Sequence, residues 1–323
     1  MANYDLFNGD ADGICGLVQL RLAEPREATL VTGIKRENKL LAQIDAQAGD
    51  RITVLDVSMA KNTEALQAAL NTGASVFYAD HHQAGDIPES QNLQAHINTA
   101  ANTCTSLIVN ALLKGRFEEW AIVAAFGDNI TLVAEKLCNK AGYSQEQIAQ
   151  LRTLGVCMNY NGYGASLDDL FYHPGELYKA AVRYKSPFGF IDNEKEIFAT
   201  LTNGYQQDMA KGLSIEAYKE NEKIAMYILP MGKWARRVSG VLGNELANRF
   251  PNRAHAILTE RAALIDGEKS YQVSIRAPKN IPKGADVIAN KFGGGGRKGA
   301  AGIDVLLDIE ALKYEFIKVY SCD

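Results

Sequence analysis

The sequence predicts an α/β protein, with a parallel-sheet N-terminal domain and a smaller C-terminal α/β domain across a cleft. Three observations carry this. Over the first third, short runs rich in Val, Ile, Phe and Tyr alternate with segments whose apolar residues recur at helical spacing. That is the pattern of parallel strands joined by crossover helices. The alternation returns near the C-terminus, and a length of 323 residues suits two domains with separate cores better than one.

In chain order, strands are expected at 4–7, 29–32, 52–55 and 75–79, with helices between them at 14–22, 37–44 and 63–70. Helices at 105–113 and 118–126 follow and close a first domain of residues 1–135. Residues 136–222 read as a mostly helical connector or insertion, with 159–164 (Asn-Tyr-Asn-Gly-Tyr-Gly) as a loop. The second domain, 223–323, is expected to run through a strand at 224–229, a helix at 236–249 and strands at 254–258 and 271–276. A short helix at 285–290, glycines 293–296, a strand at 301–307 and a helix at 309–319 complete it.

Composition narrows the function classes. The chain is 47% hydrophobic and 22% charged, with a formal net charge of −4. An acidic chain without a basic run is not built for long nucleic acid or an anionic membrane. Small anions remain open, because local cations can reverse the field in a cleft. No apolar run approaches the roughly 20 residues that span a bilayer, and the start of the chain lacks the basic and apolar regions of a signal peptide. The five cysteines, Cys15, Cys104, Cys138, Cys157 and Cys322, form no CxxC pair, which suits reduced thiols and a cytoplasmic location. The sequence carries no GxSxG elbow, GxxxxGK[ST] loop or HExxH helix.

The informative feature is where acidic and histidine residues fall. Asp10 and Asp12 lie in Asn8-Gly9-Asp10-Ala11-Asp12-Gly13, just after the first expected strand; Asp56 ends the third, and Asp80-His81-His82 ends the fourth. Parallel strands put those ends on one edge, where α/β folds bind ligands. Asp128, after a helix, can close the group from the side. So many carboxylates in one crevice would repel and raise each other's pKa unless positive charge lay between them. Divalent metal supplies it, and carboxylates with imidazole suit Mn²⁺, with Mg²⁺ the alternative. Each residue also has a plainer reading: Asp12 as a helix cap, Asp10 as a turn residue, Asp56 as the start of a turn, Asp128 as a helix stop. Adjacent histidines straight after a buried strand are harder to read as mere loop.

These motifs resemble those of the DHH phosphoesterase superfamily, in the branch with a C-terminal DHHA1 domain. Asn8 to Gly13 is similar to the first motif, Val54-Leu55-Asp56-Val57 to the second, Asp80-His81-His82 to the third and Gly127-Asp128-Asn129 to the fourth. Gly294-Gly295-Gly296-Arg297-Lys298-Gly299-Ala300-Ala301-Gly302 resembles the DHHA1 glycine signature. The resemblance implies two metal ions, commonly Mn²⁺, with Asp10 and Asp56 on the first and Asp12, Asp56, His81 and Asp128 on the second. It implies that His82 faces the substrate phosphate and that Asp80 orients a histidine. The implied activity is cleavage of short oligonucleotides, linear or cyclic dinucleotides, or single-stranded DNA ends. Two positions depart from the pattern. Phe7 stands where many members have a coordinating histidine, so the first metal site is weaker, completed by water or helped by Asn8. Arg297 stands where the glycine motif usually has histidine; arginine cannot serve as acid or base there, but it can hold a phosphate through two hydrogen bonds.

The glycines 294–296 allow backbone N–H groups close to an anion, and Arg276 at a neighbouring strand end can reach the same place or remain a solvated charge. The expectation is therefore a hydrolase whose first domain holds metal and whose second grips a short nucleotide, such as pGpG or few-residue RNA, as a monomer or homodimer.

Overall fold

The computed structural model describes residues 1–262 and 268–321, and Cys322 lies outside them. The chain divides into two compact units, Met1–Tyr205 and Gln206–Asp323. Residues 136–205 of the expected connector therefore belong to the first unit.

In the first unit, β1 (Asn3–Phe7), α1 (Ala11–Ala23), β2 (Thr29–Val31), β3 (Arg51–Leu55), α2 (Thr63–Thr72), β4 (Ser75–Asp80) and β5 (Leu93–Ile97) form a five-stranded sheet and its first helices. The strand order is β2-β1-β3-β4-β5 and every pairing is parallel. Alternation along the strands feeds two cores. Phe7, Leu55 and Ala79 join one with α1 and the later helices, while Leu6, Val54 and Tyr78 join the other with Leu66 and Leu70 of α2. The helices that follow are α3 (Thr105–Leu112), α4 (Glu118–Gly127), α5 (Thr131–Ala141), α6 (Gln145–Asn161), α7 (Pro174–Ala181), α8 (Pro187–Asn193) and α9 (Lys195–Leu213). Ser144 starts α6 with a reciprocal capping box to Gln147.

Three expectations change. The helix expected at 37–44 is only a 3-10 turn, Leu41–Gln43. Asn62 holds this segment as a loop, its side chain accepting from the Leu41 N–H and donating to the Asn38 carbonyl. The expected loop at 159–164 begins as the last turn of α6. A fifth strand, β5, was not expected; its residues Leu-Gln-Ala-His-Ile are only half-buried at the sheet edge.

The second unit contains β6 (Lys219–Glu220), β7 (Ile224–Leu229), α10 (Lys233–Arg249), β8 (Ala254–Glu260), β9 (Tyr271–Arg276), α11 (Ala285–Lys291), β10 (Gly295–Arg297), β11 (Ala300–Leu306) and α12 (Ile309–Tyr320). Its sheet runs β10-β11-β9-β8-β7-β6, with β7 and β8 parallel and the other pairs antiparallel. Its core joins Ile224, Val273 and Ile303 to Ile288, Leu312 and Phe316 of α11 and α12. Among the described residues, no helix is long and apolar enough to cross a membrane.

Candidate metal centre

The strand order of the first sheet reverses at the β1–β3 neighbourhood, and the crevice beyond the carboxyl ends of such strands is where this architecture binds ligands. Asp10, Asp12 and Asp56 flank it, and Asp80 ends β4 next door. Asp10 caps α1, its Oδ1 accepting from the N–H groups of Asp12 (2.9 Å) and Gly13 (3.2 Å). The Asp12 carboxylate accepts the N–H groups of Thr105 and Ser106, each at 2.7 Å. Those residues open α3, whose N-terminal dipole favours an anion there. The cap expected of Asp12 thus falls to Asp10, which was read as a turn residue, whereas Asp12 anchors a different helix.

His81 Nε2 is the meeting point. It lies 3.3 Å from Asp56 Oδ1, 3.7 Å from Asp128 Oδ2 and 4.0 Å from Asp12 Oδ2. Asp12, His81 and Asp128 offer ligand atoms within 4.8 Å of one another, and so do Asp56, His81 and His82. His82 is turned the other way: Nδ1 sits 2.7 Å from Asp80 Oδ1, its side chain 46% exposed. The third-motif aspartate therefore orients His82.

Electrostatics agree with a site for cations. Burial, then the charges of Asp10, Asp12, Asp128 and Asp80, hold the Asp56 carboxyl well above its ordinary range. Burial and Asp12 push Asp128 up to about 7, against the opposing pull of Lys35. The hydrogen bond that His82 donates to Asp80 outweighs burial and raises His82 above the usual imidazole value. Two buried carboxyls that resist ionisation, Asp56 and Asp128, with imidazole nitrogen facing them, match the donor set of a divalent ion.

Sequence reasoning missed Lys35. Its Nζ lies 2.6 Å from Asp10 Oδ2, 3.3 Å from Asp128 Oδ1 and 2.6 Å from Asn159 Oδ1. Burial would lower Asp10's tendency to ionise, yet Lys35's charge and the helix N–H groups bring its pKa below the ordinary value. The signal was available: Lys35 follows β2 at the same sheet edge as the aspartates. Phe7 is fully buried against Tyr178, with ring centroids 5.7 Å apart, and has no ligand atom. Asn8 is 7% exposed; its amide reaches the Lys35 carbonyl at 3.4 Å, and its Oδ1 has no hydrogen-bond partner among the described residues.

The residues expected to hold substrate lie in the second unit. Gly295 to Arg297 form β10, a strand hydrogen-bonded to β11, so part of the glycine run is sheet. A Cβ on Gly294 would lie 2.1 Å from the Gly302 carbonyl oxygen, and one on Gly296, at φ 148°, would meet Ala301 at 2.5 Å. Close strand approach alone therefore requires glycine at both. Arg297 is exposed and pairs in register with Ala300, which pairs with Arg276. Arg276 is not a free strand-end charge: its guanidinium donates to Asn244 Oδ1 (2.6 Å), Ser274 Oγ (2.9 Å) and the carbonyl of Gly240 (3.2 Å).

No family model and no curated protein matches the sequence. Solved structures do match. The chain is similar to the DHH domain of a member of the s1p family of ribosomal proteins, with TM-score 0.63, 12% identity, and coverage of 98% of this chain and 86% of that one. It is similar to RecJ from Thermus thermophilus, in complex with Mn²⁺, with TM-score 0.61 and 15% identity. There it covers 98% of this chain but 51% of the other, about half its length. It is also similar to a pGpG-specific phosphodiesterase from Vibrio cholerae, with TM-score 0.56, 13% identity and 98% coverage of both chains. The α/β fold expected from the sequence motifs is thus that of DHH-domain proteins, with a second sheet following the parallel one.

Proposed function

We propose that the protein is a divalent-metal-dependent phosphodiesterase that hydrolyses very short nucleotides, linear dinucleotides such as pGpG or few-residue RNA, to mononucleotides. The observation that carries this reading is the approach of Asp12, Asp56 and Asp128 to one imidazole nitrogen, His81 Nε2. These residues suit Mn²⁺, with Mg²⁺ the alternative, and manganese is the ion of the Thermus RecJ structure. When bound, such an ion supplies an acidified water and positive charge for the phosphoryl oxygens.

The chain's own groups do the rest. Asp80 fixes the His82 ring by its Nδ1, leaving Nε2 to hold a proton towards a non-bridging phosphate oxygen. With its pKa raised, His82 keeps that proton nearer neutrality than a free imidazole. The backbone N–H groups of Thr105 and Ser106 lock Asp12 in place, so it need not reorganise during reaction. Arg297 is assigned to the substrate phosphate as a bidentate donor. Short substrates fit the net charge of −4, because long strands need an extended basic groove.

The test is product analysis with Mn²⁺ or Mg²⁺ on pGpG, short RNA, a cyclic dinucleotide, pyrophosphate and long single-stranded DNA. Mononucleotides should form fastest from the linear dinucleotide or the short RNA. Comparable turnover of pyrophosphate or of the long strand would replace the proposed substrate, and tight nucleotide binding without hydrolysis would make the protein a regulator. Arg297→Ala should raise KM more than it lowers kcat, as loss of uniform binding does; a selective fall in kcat would contradict the anchoring role.

A further inference from the structure

We propose that Lys35 is a built-in cation that takes one of the two cation positions expected in the centre, so that the protein binds one divalent ion, at Asp12, Asp56, His81 and Asp128. The inference rests on the reading of this crevice as a metal centre and changes its stoichiometry.

The ammonium is placed as an ion would be. Three oxygens surround Nζ: Asp10 Oδ2 at 2.6 Å, Asn159 Oδ1 at 2.6 Å and Asp128 Oδ1 at 3.3 Å. Lysine has three N–H donors and no acceptor, so each donor has an oxygen. The rest of the residue is fixed as well. Its backbone N–H donates to the Gly162 carbonyl at 2.8 Å, its carbonyl accepts from the Asn8 amide, and the Tyr163 ring lies 5.8 Å from Nζ. A solvated surface lysine is not held at both its backbone and its tip.

The carboxylates are divided accordingly. Asp10 has given Oδ1 to the start of α1 and Oδ2 to Lys35, and neither group of three metal-donor residues includes it. Asp128 is shared: Oδ1 faces Lys35, and Oδ2 faces His81 Nε2. Phe7 adds no donor on this side. A second divalent ion at Asp10 would have to displace the ammonium or sit against its charge, while an ion beside His81 faces Asp12 Oδ2, Asp56 Oδ1 and Asp128 Oδ2, none of them paired with a cationic side chain other than the histidines. Lys35 therefore neutralises Asp10 permanently and turns Asp128 towards the one ion.

The experiment counts ions. The full chain, stripped of metal and equilibrated with Mn²⁺, is analysed by equilibrium dialysis with elemental analysis, and by electron paramagnetic resonance, which separates isolated from spin-coupled Mn²⁺. The wild type should bind one uncoupled ion per chain, Lys35→Arg should also bind one, and Lys35→Ala should bind two that couple. Two coupled ions in the wild type or in Lys35→Arg would overturn the proposal. One ion in a Lys35→Ala protein of unchanged circular dichroism would overturn it too, by showing that the lysine does not set the count. If Lys35→Ala does not fold, the wild-type and arginine counts decide. No bound ion in the wild type would instead remove the metal centre itself, a distinct outcome.

Discussion

Asp56 sits at φ 57°, in the left-handed region that residues other than glycine, asparagine and aspartate rarely adopt. Strain of this kind persists where the surroundings over-determine it. Here the backbone N–H of Asp56 donates to the Ala79 carbonyl at 3.1 Å, and Oδ1 accepts from Thr105 Oγ1 at 3.3 Å. Asparagine tolerates the same backbone, so Asp56→Asn separates fold from charge. The variant should keep its melting temperature within a few degrees yet lose at least about 1,000-fold in turnover, roughly 4 kcal/mol of barrier; near-normal hydrolysis would remove Asp56 from the ligand set. At this scale Asp10, Asp12, Asp56 and His81 were legible because each follows a strand of the parallel sheet, and strand ends converge; Asp128, at the end of α4, was legible from its motif. Lys35 obeys the same rule but was passed over, since a lone lysine after a three-residue strand looks like a solvated charge. Asn159 was hidden for another reason: its Asn-Tyr-Asn-Gly setting reads as loop, while packing extends α6 through Asn161.

Elements deliver these residues through two contacts that periodicity does not encode. The first is the crossing of α4 and α6, which positions Asp128 at the end of one and Asn159 at the end of the other. A Cβ on Gly155 would lie 2.1 Å from the Val123 carbonyl oxygen, and one on Gly127 would meet Ala11 at 2.7 Å. Backbone is in the way at Gly155, so Gly155→Ala should destabilise the first unit by at least about 1–3 kcal/mol, the range for overpacking, as read by urea unfolding. The second is the buried ion pair Arg21–Asp5. Arg21 donates to Asp5 through Nε (2.8 Å) and Nη2, and to Thr53 Oγ1 (2.8 Å), joining α1 to β1 and β3. Both side chains are almost fully buried, and removing one partner strands the other charge. Asp5→Ala should therefore cost about 3–5 kcal/mol, and Asp5→Ala with Arg21→Met much less. If the double variant is as unstable as the single, the penalty is lost packing rather than an unpaired charge. The sequence showed that α1 exists from its spacing; it did not show which polar contacts tie it to the sheet, because Asp5, Arg21 and Thr53 lie on three separate elements.

For the whole molecule, two sheets with separate cores were legible from the two zones of alternation, whereas the border at 205–206 was not. It falls inside α9, a single uninterrupted helix, where composition gives no break. The two units should answer different solution variables. An ion at the proposed centre would act on the first unit, and at 100 times its dissociation constant would stabilise it by about 2.7 kcal/mol. The second carries His255 on β8, fully buried with Phe250 beside it. Burial, with the charge of Arg253 adding, lowers its pKa from 6.5 to about 4. Because the folded value is depressed, the unfolded chain binds the proton first as pH falls. Stability from neutral His255 is thus complete above about pH 6.5 and drains away towards pH 4, by about 3 kcal/mol at most. His255→Leu should flatten that slope. Hydrogen exchange followed by peptide mass distinguishes the two effects. Adding Mn²⁺ at pH 7.5 should slow exchange in β1, β3 and α3, and lowering the pH from 7 to 5 should speed it in β8 and β9 of the wild type, though much less in His255→Leu. An equal acid response in both proteins would exclude His255 as its source, and the raised carboxyls of the first unit cannot supply it. Those act with the opposite sign: protonation in the fold at a higher pH than in the unfolded chain makes acid stabilising. A wild type that loosens in β8 while the metal-free centre tightens is the pattern that only the two groups together produce.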